Sequence, residues 1–297
     1  MPCHNKCERA FIWLVSHIKF ARVFLLLLAT IGFVISKSVA AQEIIRIGGT
    51  GTGTLLIRYL GEEYKKIKPD VEVRPISPPM GSNGSLRALA SGSIQIAIVT
   101  FPDIYPAPDQ ADKTKANEVV PWVRTPFVFT GRDFADGTRL SLAEVADIYS
   151  GRLVQWPSGK QVRLITRTER ESDTRILRAI SPVMDEAVFS SVGRHGMPFA
   201  ENDLDNQQLL EHTAGSFGSI GLGQLLLMGS PLKPIILDGK PPSAESLQSG
   251  AYRLEKPLYL VTNKALSPAS LEFIHFLRSS NVVKKIRKYG FIPMHHD

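Results

Sequence analysis

The chain has 297 residues, 43% of them hydrophobic and 21% charged, with a formal net charge of +7, enough apolar content for one large or two modest cores. Five of the Lys and Arg residues and only one acid fall within residues 1–41. The remaining chain therefore carries about +3 with no basic run, which argues against a nucleic-acid partner. Both cysteines, Cys3 and Cys7, lie in the same stretch, so the rest of the chain can form no disulfide and offers no thiol nucleophile or thiolate metal ligand.

Lys6, Arg9, Lys19 and Arg22 precede the apolar run Val23 to Ile35, which is shorter than the roughly 20 residues a spanning helix needs. The small-residue exit SKSVAAQE then offers cleavage after Ala40 or Ala41. Residues 1–41 are expected to be a signal peptide. An uncleaved anchor is the alternative, favoured by the long lead and the apolar FIWLV within it; a mis-chosen start codon would account for the same length.

In the exported part, EIIRI predicts a strand that stops at GGTGTGT. A helix follows, with Leu56, Tyr59, Leu60, Tyr64 and Ile67 on one face. VEVRP is the next strand, MGSNGSLRALASG a Gly/Ser turn opening a helix, and SIQIAIV a strand apolar almost throughout. Strands separated by helices imply a mainly parallel sheet. Residues 103–118 are expected to be a loop, and VVPWVRTPFVFTG an extended segment that crosses between lobes. Ser141 and Glu144 spell a capping box, QVRLIT a strand, and RILRAI a helix after the turn RTERESDT. A helix near residues 203–212, a Gly-rich strand GSFGSIGLGQLLL, an extended return EKPLYLVTN and two terminal helices complete the chain.

Three segments end a strand and open a helix with Thr, Ser or Gly: Thr50 to Thr54, Ser82 to Ser85 and Ser172 to Thr174. A helix N-terminus leaves about four N–H groups unpaired and carries roughly half a positive charge, so it is a ready anion site. Taken singly, each segment is an ordinary helix cap. Together with Arg167, the only full positive charge that the sequence places beside them, they could hold a tetrahedral oxyanion without a metal. The GTGTGT run has neither the Lys-Ser/Thr of a P-loop nor the dinucleotide glycine spacing. His195, His212, His295 and His296 are isolated or terminal, and no metal, cofactor or catalytic motif is present.

The order and wording of GTGTG, MGSNGSLRALASG, SLAEVADIYSGRLVQWP, RTERESDT and IILDGKPPSAESLQSGAYRLEKPLYLVTN resemble the periplasmic phosphate-binding proteins of ABC transporters, over nearly the whole chain after the leader. The resemblance implies a two-lobed α/β fold of the type II periplasmic binding class, with mixed sheets, helices on both faces and ligand in the hinge cleft. One lobe would comprise residues 42–126 and 258–297, and the other residues 127–257. Carried over by position, the ligand would meet Thr50, Gly51 and Thr52, then Ser82, Asn83 and Gly84, then Thr100, and finally Arg167, Ser172, Asp173 and Thr174. The implied protein is a periplasmic monomer that captures phosphate or a related oxyanion for an ABC permease, with no cofactor and no chemistry on the ligand. A sensor component signalling to a membrane receptor is the alternative, and a phosphoester hydrolase on the same fold a further one.

Two departures bear on the ligand. Thr100 stands where phosphate binders carry an aspartate, and Asp173 stands within an otherwise Ser-Gly-Thr turn, where it would either accept a proton-bearing ligand oxygen or cap the helix. Arg167 is also one residue further from Ser172 than in the commonest family pattern, which makes Arg170 a competitor.

Overall fold

Residues 42–102 and 117–294 are described by a computed structural model; the leader, residues 103–116 of the expected loop, and His295 and His296 lie outside them. The strand β1 (Glu43–Gly49) ends at two glycines, after which Thr50 caps helix α1 (Gly51–Lys65) by accepting the Gly53 N–H at 3.2 Å. Leu56, Leu60 and Tyr64 are buried on its inner face as the spacing predicts, but Ile67 falls past the helix end and is 62% exposed. β2 (Val71–Pro75), α2 (Gly81–Ala90) and β3 (Ile96–Val99) follow in the expected order.

β4 (Asn117–Gly131) is a single strand that also absorbs Asn117 and Glu118, expected to be loop. Next come β5 (Arg139–Leu140) and α3 (Leu142–Ser150), which opens on the Ser141 and Glu144 capping box. The two-residue strand β6 (Arg163–Leu164) leads to α4 (Ser172–Arg178), and α5 (Pro182–Ser191) and α6 (Asp203–His212) follow. The Gly-rich stretch expected to be all strand divides into β7 (Ser216–Gly221) and α7 (Leu222–Met228). β8 (Lys233–Pro234), β9 (Ile236–Leu237), α8 (Ala244–Gln248), β10 (Glu255–Asn263), α9 (Pro268–Leu277), α10 (Ser280–Arg287) and β11 (Ile292–Pro293) complete the described chain.

The main sheet runs β2-β1-β3-β10-β4-β7-β6, with β8 and β11 also pairing β4. Only its two ends are parallel. β10 is antiparallel to both β3 and β4, and β4 is antiparallel to β7, so the sheet is mixed rather than mainly parallel. The reason is the return of the chain: β10 comes back from the far end and inserts beside β3 and β4.

The two largest cores share these strands. One collects Ile45, Leu56, Leu60, Ile96, Trp122, Leu258, Phe273 and Phe291; the other collects Phe127, Phe129, Tyr149, Trp156, Phe217, Ile220 and Tyr252. In the second, the Phe129 and Phe217 rings stack with centroids 5.8 Å apart. β4 gives Trp122 and Val123 to the first core and Phe127 to Phe129 to the second, while β10 and the residue before it give Leu258 to the first and Leu254 to the second. Within the first-core part of this pair, the register of β4 and β10 shifts at Leu258/Tyr259, a bulge that leaves Trp122 unmatched. Two antiparallel strands thus form the crossing between the cores, and the residues at that crossing border both.

Candidate functional site

Lys256 lies at this crossing. It is 0% exposed, and its ammonium meets Asp173 Oδ1 at 2.5 Å and Asp203 Oδ2 at 3.0 Å. The Arg167 guanidinium reaches the same two carboxylates from the other side. Its Nη1 lies 2.7 Å from Asp203 Oδ1 and 3.0 Å from Asp173 Oδ2, and its Nη2 lies 2.7 Å from Glu171 Oε2. Two cations and three carboxylates therefore form one network, in which every member but Glu171 is buried.

Asp203, the first residue of α6, extends the network to α1. Its Oδ2 accepts the Thr52 N–H at 3.0 Å and lies 3.4 Å from the Thr52 hydroxyl oxygen. Thr52 also donates to Gln224 Oε1 at 2.9 Å, and Gln224 Nε2 donates to the Asp203 carbonyl at 2.9 Å and to Gln207 Oε1 at 3.0 Å. The approach is so close that a Cβ on Gly51 would lie 2.3 Å from Asp203 Cβ, a contact only glycine tolerates. A second bridge joins the other two turns. The Ser82 and Ser172 hydroxyls lie 3.0 Å apart, and Ser82 Oγ accepts the Thr100 N–H at 3.2 Å.

Burial and charge pull the network's protons in opposite directions. Burial alone would raise Asp203, but Lys256 and Arg167 outweigh it and hold its carboxyl well below the usual carboxylate range. Burial would lower Lys256 and Arg167 as well; the surrounding carboxylates win and push both upward. Asp173 receives less help. Burial raises it, Lys256 opposes that, and the neighbouring Asp203 charge pushes it up again. Glu171 is likewise raised by burial in spite of Arg167. Asp203 is thus the resident anion, while Asp173 and Glu171 are the groups most ready to take up a proton.

The residues singled out in the sequence divide accordingly. Thr52, Ser82, Thr100, Arg167, Ser172 and Asp173 come together and are buried, whereas Asn83 and Gly84 are half-buried within α2. Thr50 Oγ1 accepts the Gly53 N–H of its own helix at 3.2 Å, and the Thr174 hydroxyl donates to the Thr168 carbonyl at 2.8 Å. Asp173 does not cap α4: Glu171 holds the N-cap position and the Asp173 carboxylate is engaged by the two cations. Arg170 is exposed, so the longer spacing still brings Arg167 inward. Arg167 is not the only full positive charge at the turns. Lys256 is the second, and Asp203, Glu171 and Gln224 are further members that sequence reasoning missed. Among the described residues, no grouping of His, Cys, Asp or Glu could hold a metal ion. Thr100 Oγ1 and Arg167 Nε are buried without a hydrogen-bond partner.

A family model described as a PBP superfamily domain matches residues 36–281. A curated relative, the phosphate-binding protein PstS 2 of Streptococcus agalactiae serotype V, is 29% identical over 77 residues, a match that spans 26% of each chain. In structure, the chain is similar to a protein from Clostridium perfringens assigned as a phosphate ABC transporter substrate-binding protein, with phosphate bound. The TM-score is 0.70 at 15% identity over 85% of this chain and 100% of that one. An ABC-type phosphate transport receptor from Vibrio cholerae superposes with a TM-score of 0.59 at 19% identity, covering 84% of this chain and 99% of the other. At these identities the likeness establishes the two-lobed fold.

Proposed function

Because the chain belongs to the PBP superfamily, we propose that it is an exported solute-binding protein that captures a small oxyanion, phosphate first among them, between lobes 42–126 plus 258–297 and 127–257, for an ABC-type permease. The observation that carries this reading is the meeting of Ser82 and Ser172 at 3.0 Å from opposite sides of the crossing, with Thr100, Arg167 and Lys256 beside them. Hydroxyls, a helix N-terminus at α2 and a guanidinium fork are the groups that grip tetrahedral oxygens. The Streptococcus agalactiae relative is named a phosphate-binding protein and the Clostridium perfringens structure holds phosphate, and the two cores joined by a pair of crossing strands suit a hinge.

The chain is proposed to hold its ligand without changing it, since the carboxylates here are engaged by cations rather than set beside a nucleophile. Turnover of a chromogenic phosphoester by purified, metal-supplemented protein would contradict this. Export rests on the leader, residues 1–41, and N-terminal sequencing of the exported protein should begin at Ala41 or Gln42. Among the described residues, no helix is long and apolar enough to cross a membrane.

The ligand is tested by a thermal-shift screen of the mature chain against phosphate, sulfate, phosphonates, molybdate and tungstate. Phosphate should give the largest rise in melting temperature. A flat response to every oxyanion removes the reading.

A further inference from the structure

We propose that the Asp203 carboxylate is a built-in anion: it occupies the α1 terminus of the ligand site, ties the two lobes together from within, and must be displaced before an oxyanion can use those donors. The proposal rests on the oxyanion reading above for its ligand, but its structural half stands on contacts alone.

Three donors converge on this one side chain. Oδ2 takes the Thr52 N–H and the Lys256 ammonium, while Oδ1 takes the Arg167 guanidinium. A backbone N–H at a helix N-terminus and two cations are the set that would otherwise grip an oxyanion. The ordinary explanation for an aspartate in a first helical turn does not apply. Asn202 already caps α6, accepting the N–H groups of Leu204 at 2.9 Å and Asp205 at 3.1 Å, so Asp203 is released from its own helix and turned toward α1.

The contact also spans the hinge. Thr52 belongs to the helix packed in the first core, Asp203 to the helix whose Leu210 packs in the second, and the fit leaves no room for any side chain at Gly51. Charge argues in the same direction. With all three carboxylates ionised, the network carries a formal charge of one unit negative against its two cations, and a dianion added to it would meet repulsion. If it enters by taking the place of Asp203, it inherits the same donors. Arg167 Nε, on the guanidinium that holds Asp203, and Thr100 Oγ1, next to Ser82, are buried without partners and remain as donors.

The test uses the mature chain as wild type, Asp203→Ala and Gly51→Ala. The first variant removes the carboxylate; the second keeps every charge but wedges a methyl between α1 and α6. Circular dichroism confirms folding, and the second variant serves if the first does not fold. Small-angle scattering without ligand should show both variants more expanded than wild type. Adding inorganic phosphate should compact Asp203→Ala again, and calorimetry should find phosphate and sulfate bound at least about tenfold tighter by Asp203→Ala than by wild type, the size expected when a competing charge is removed. Variants as compact as wild type, or an Asp203→Ala affinity equal to or weaker than wild type, overturn the proposal. If the variants expand yet no protein binds any oxyanion, the tie between the lobes is upheld and the ligand reading fails.

Discussion

Lys256 and Asp173 form an ion pair at 2.5 Å in which neither side chain reaches solvent, although one comes from the crossing strand β10 and the other from the first turn of α4. The pair locks a strand shared by both cores to the turn that carries Ser172. A buried pair of this kind need not add net stability over an apolar substitute, but removing one partner strands the other.

Lys256→Met should therefore destabilise the fold by about 3–5 kcal/mol, as for other broken buried pairs, because Asp173 and Asp203 are left to share Arg167. Adding Asp173→Asn to Lys256→Met should recover part of the loss, since it removes the stranded charge. Denaturant unfolding of the two single variants and the double variant reads the coupling; strict additivity would mean that the pair is not a unit.

The pH dependence follows from the same network. Asp173 and Glu171 have carboxyls raised by burial, so the folded chain binds their protons more tightly than the unfolded chain does. Their contribution is complete below the ordinary carboxylate range and is lost as pH rises through the raised values. Asp203 has the opposite sign: its contribution is present above the ordinary carboxylate range and lost as pH falls through its lowered value. An anion placed beside Asp173 raises that carboxyl further, so binding takes up a proton and affinity should increase as pH falls. Sulfate is the cleaner probe, because it stays fully ionised. Its affinity measured between about pH 5 and 8 should strengthen toward acid in wild type and flatten in Asp173→Asn. An unchanged slope in the variant would remove Asp173 from the site.

Gly223 opens α7 against the first core, and a Cβ there would lie 2.2 Å from Cζ of the Phe291 ring. Its N–H also donates to Thr125 Oγ1 at 2.8 Å on the crossing strand. Gly223→Ala should cost about 1–3 kcal/mol through overpacking. A thermal midpoint equal to wild type would show that Phe291 yields freely.

How much of this was legible depended on whether a residue's role is local. The turns around Thr52, Ser82 and Ser172 could be found because hydroxyl and glycine residues at strand-to-helix junctions state their own geometry, and Arg167 follows a strand directly into one of them. Asp203 and Lys256 carry no such mark. An aspartate after Asn202 looks like any first-turn acid, and a lysine between Glu255 and Pro257 looks like strand-edge charge, because Lys256 is buried at the crossing of β4 and β10 and Asp203 against Thr52 at the α1 terminus, in each case by residues more than a hundred positions away. α5 was missed although Ser181 and Pro182 spell its start; Ser181 accepts the Met184 N–H as an ordinary N-cap. The Gly-rich stretch read as all strand because Leu222 to Met228 is apolar without a helical stripe; the helix begins where β7 leaves β4 at Gly221.

The measurement that bears most directly on the central claim is calorimetric titration of phosphate into the mature wild-type chain and into Arg167→Ala. Arg167 binds three carboxylates and still has a buried Nε without a partner, so it is the group that links the network to an entering oxyanion. Wild type should bind one phosphate per chain, and Arg167→Ala should lose about 2–5 kcal/mol of binding free energy, the range for truncating one member of a buried, hydrogen-bonded charge pair, while remaining folded. Arg167→Ala that binds phosphate as well as wild type does would contradict the account and place the site elsewhere.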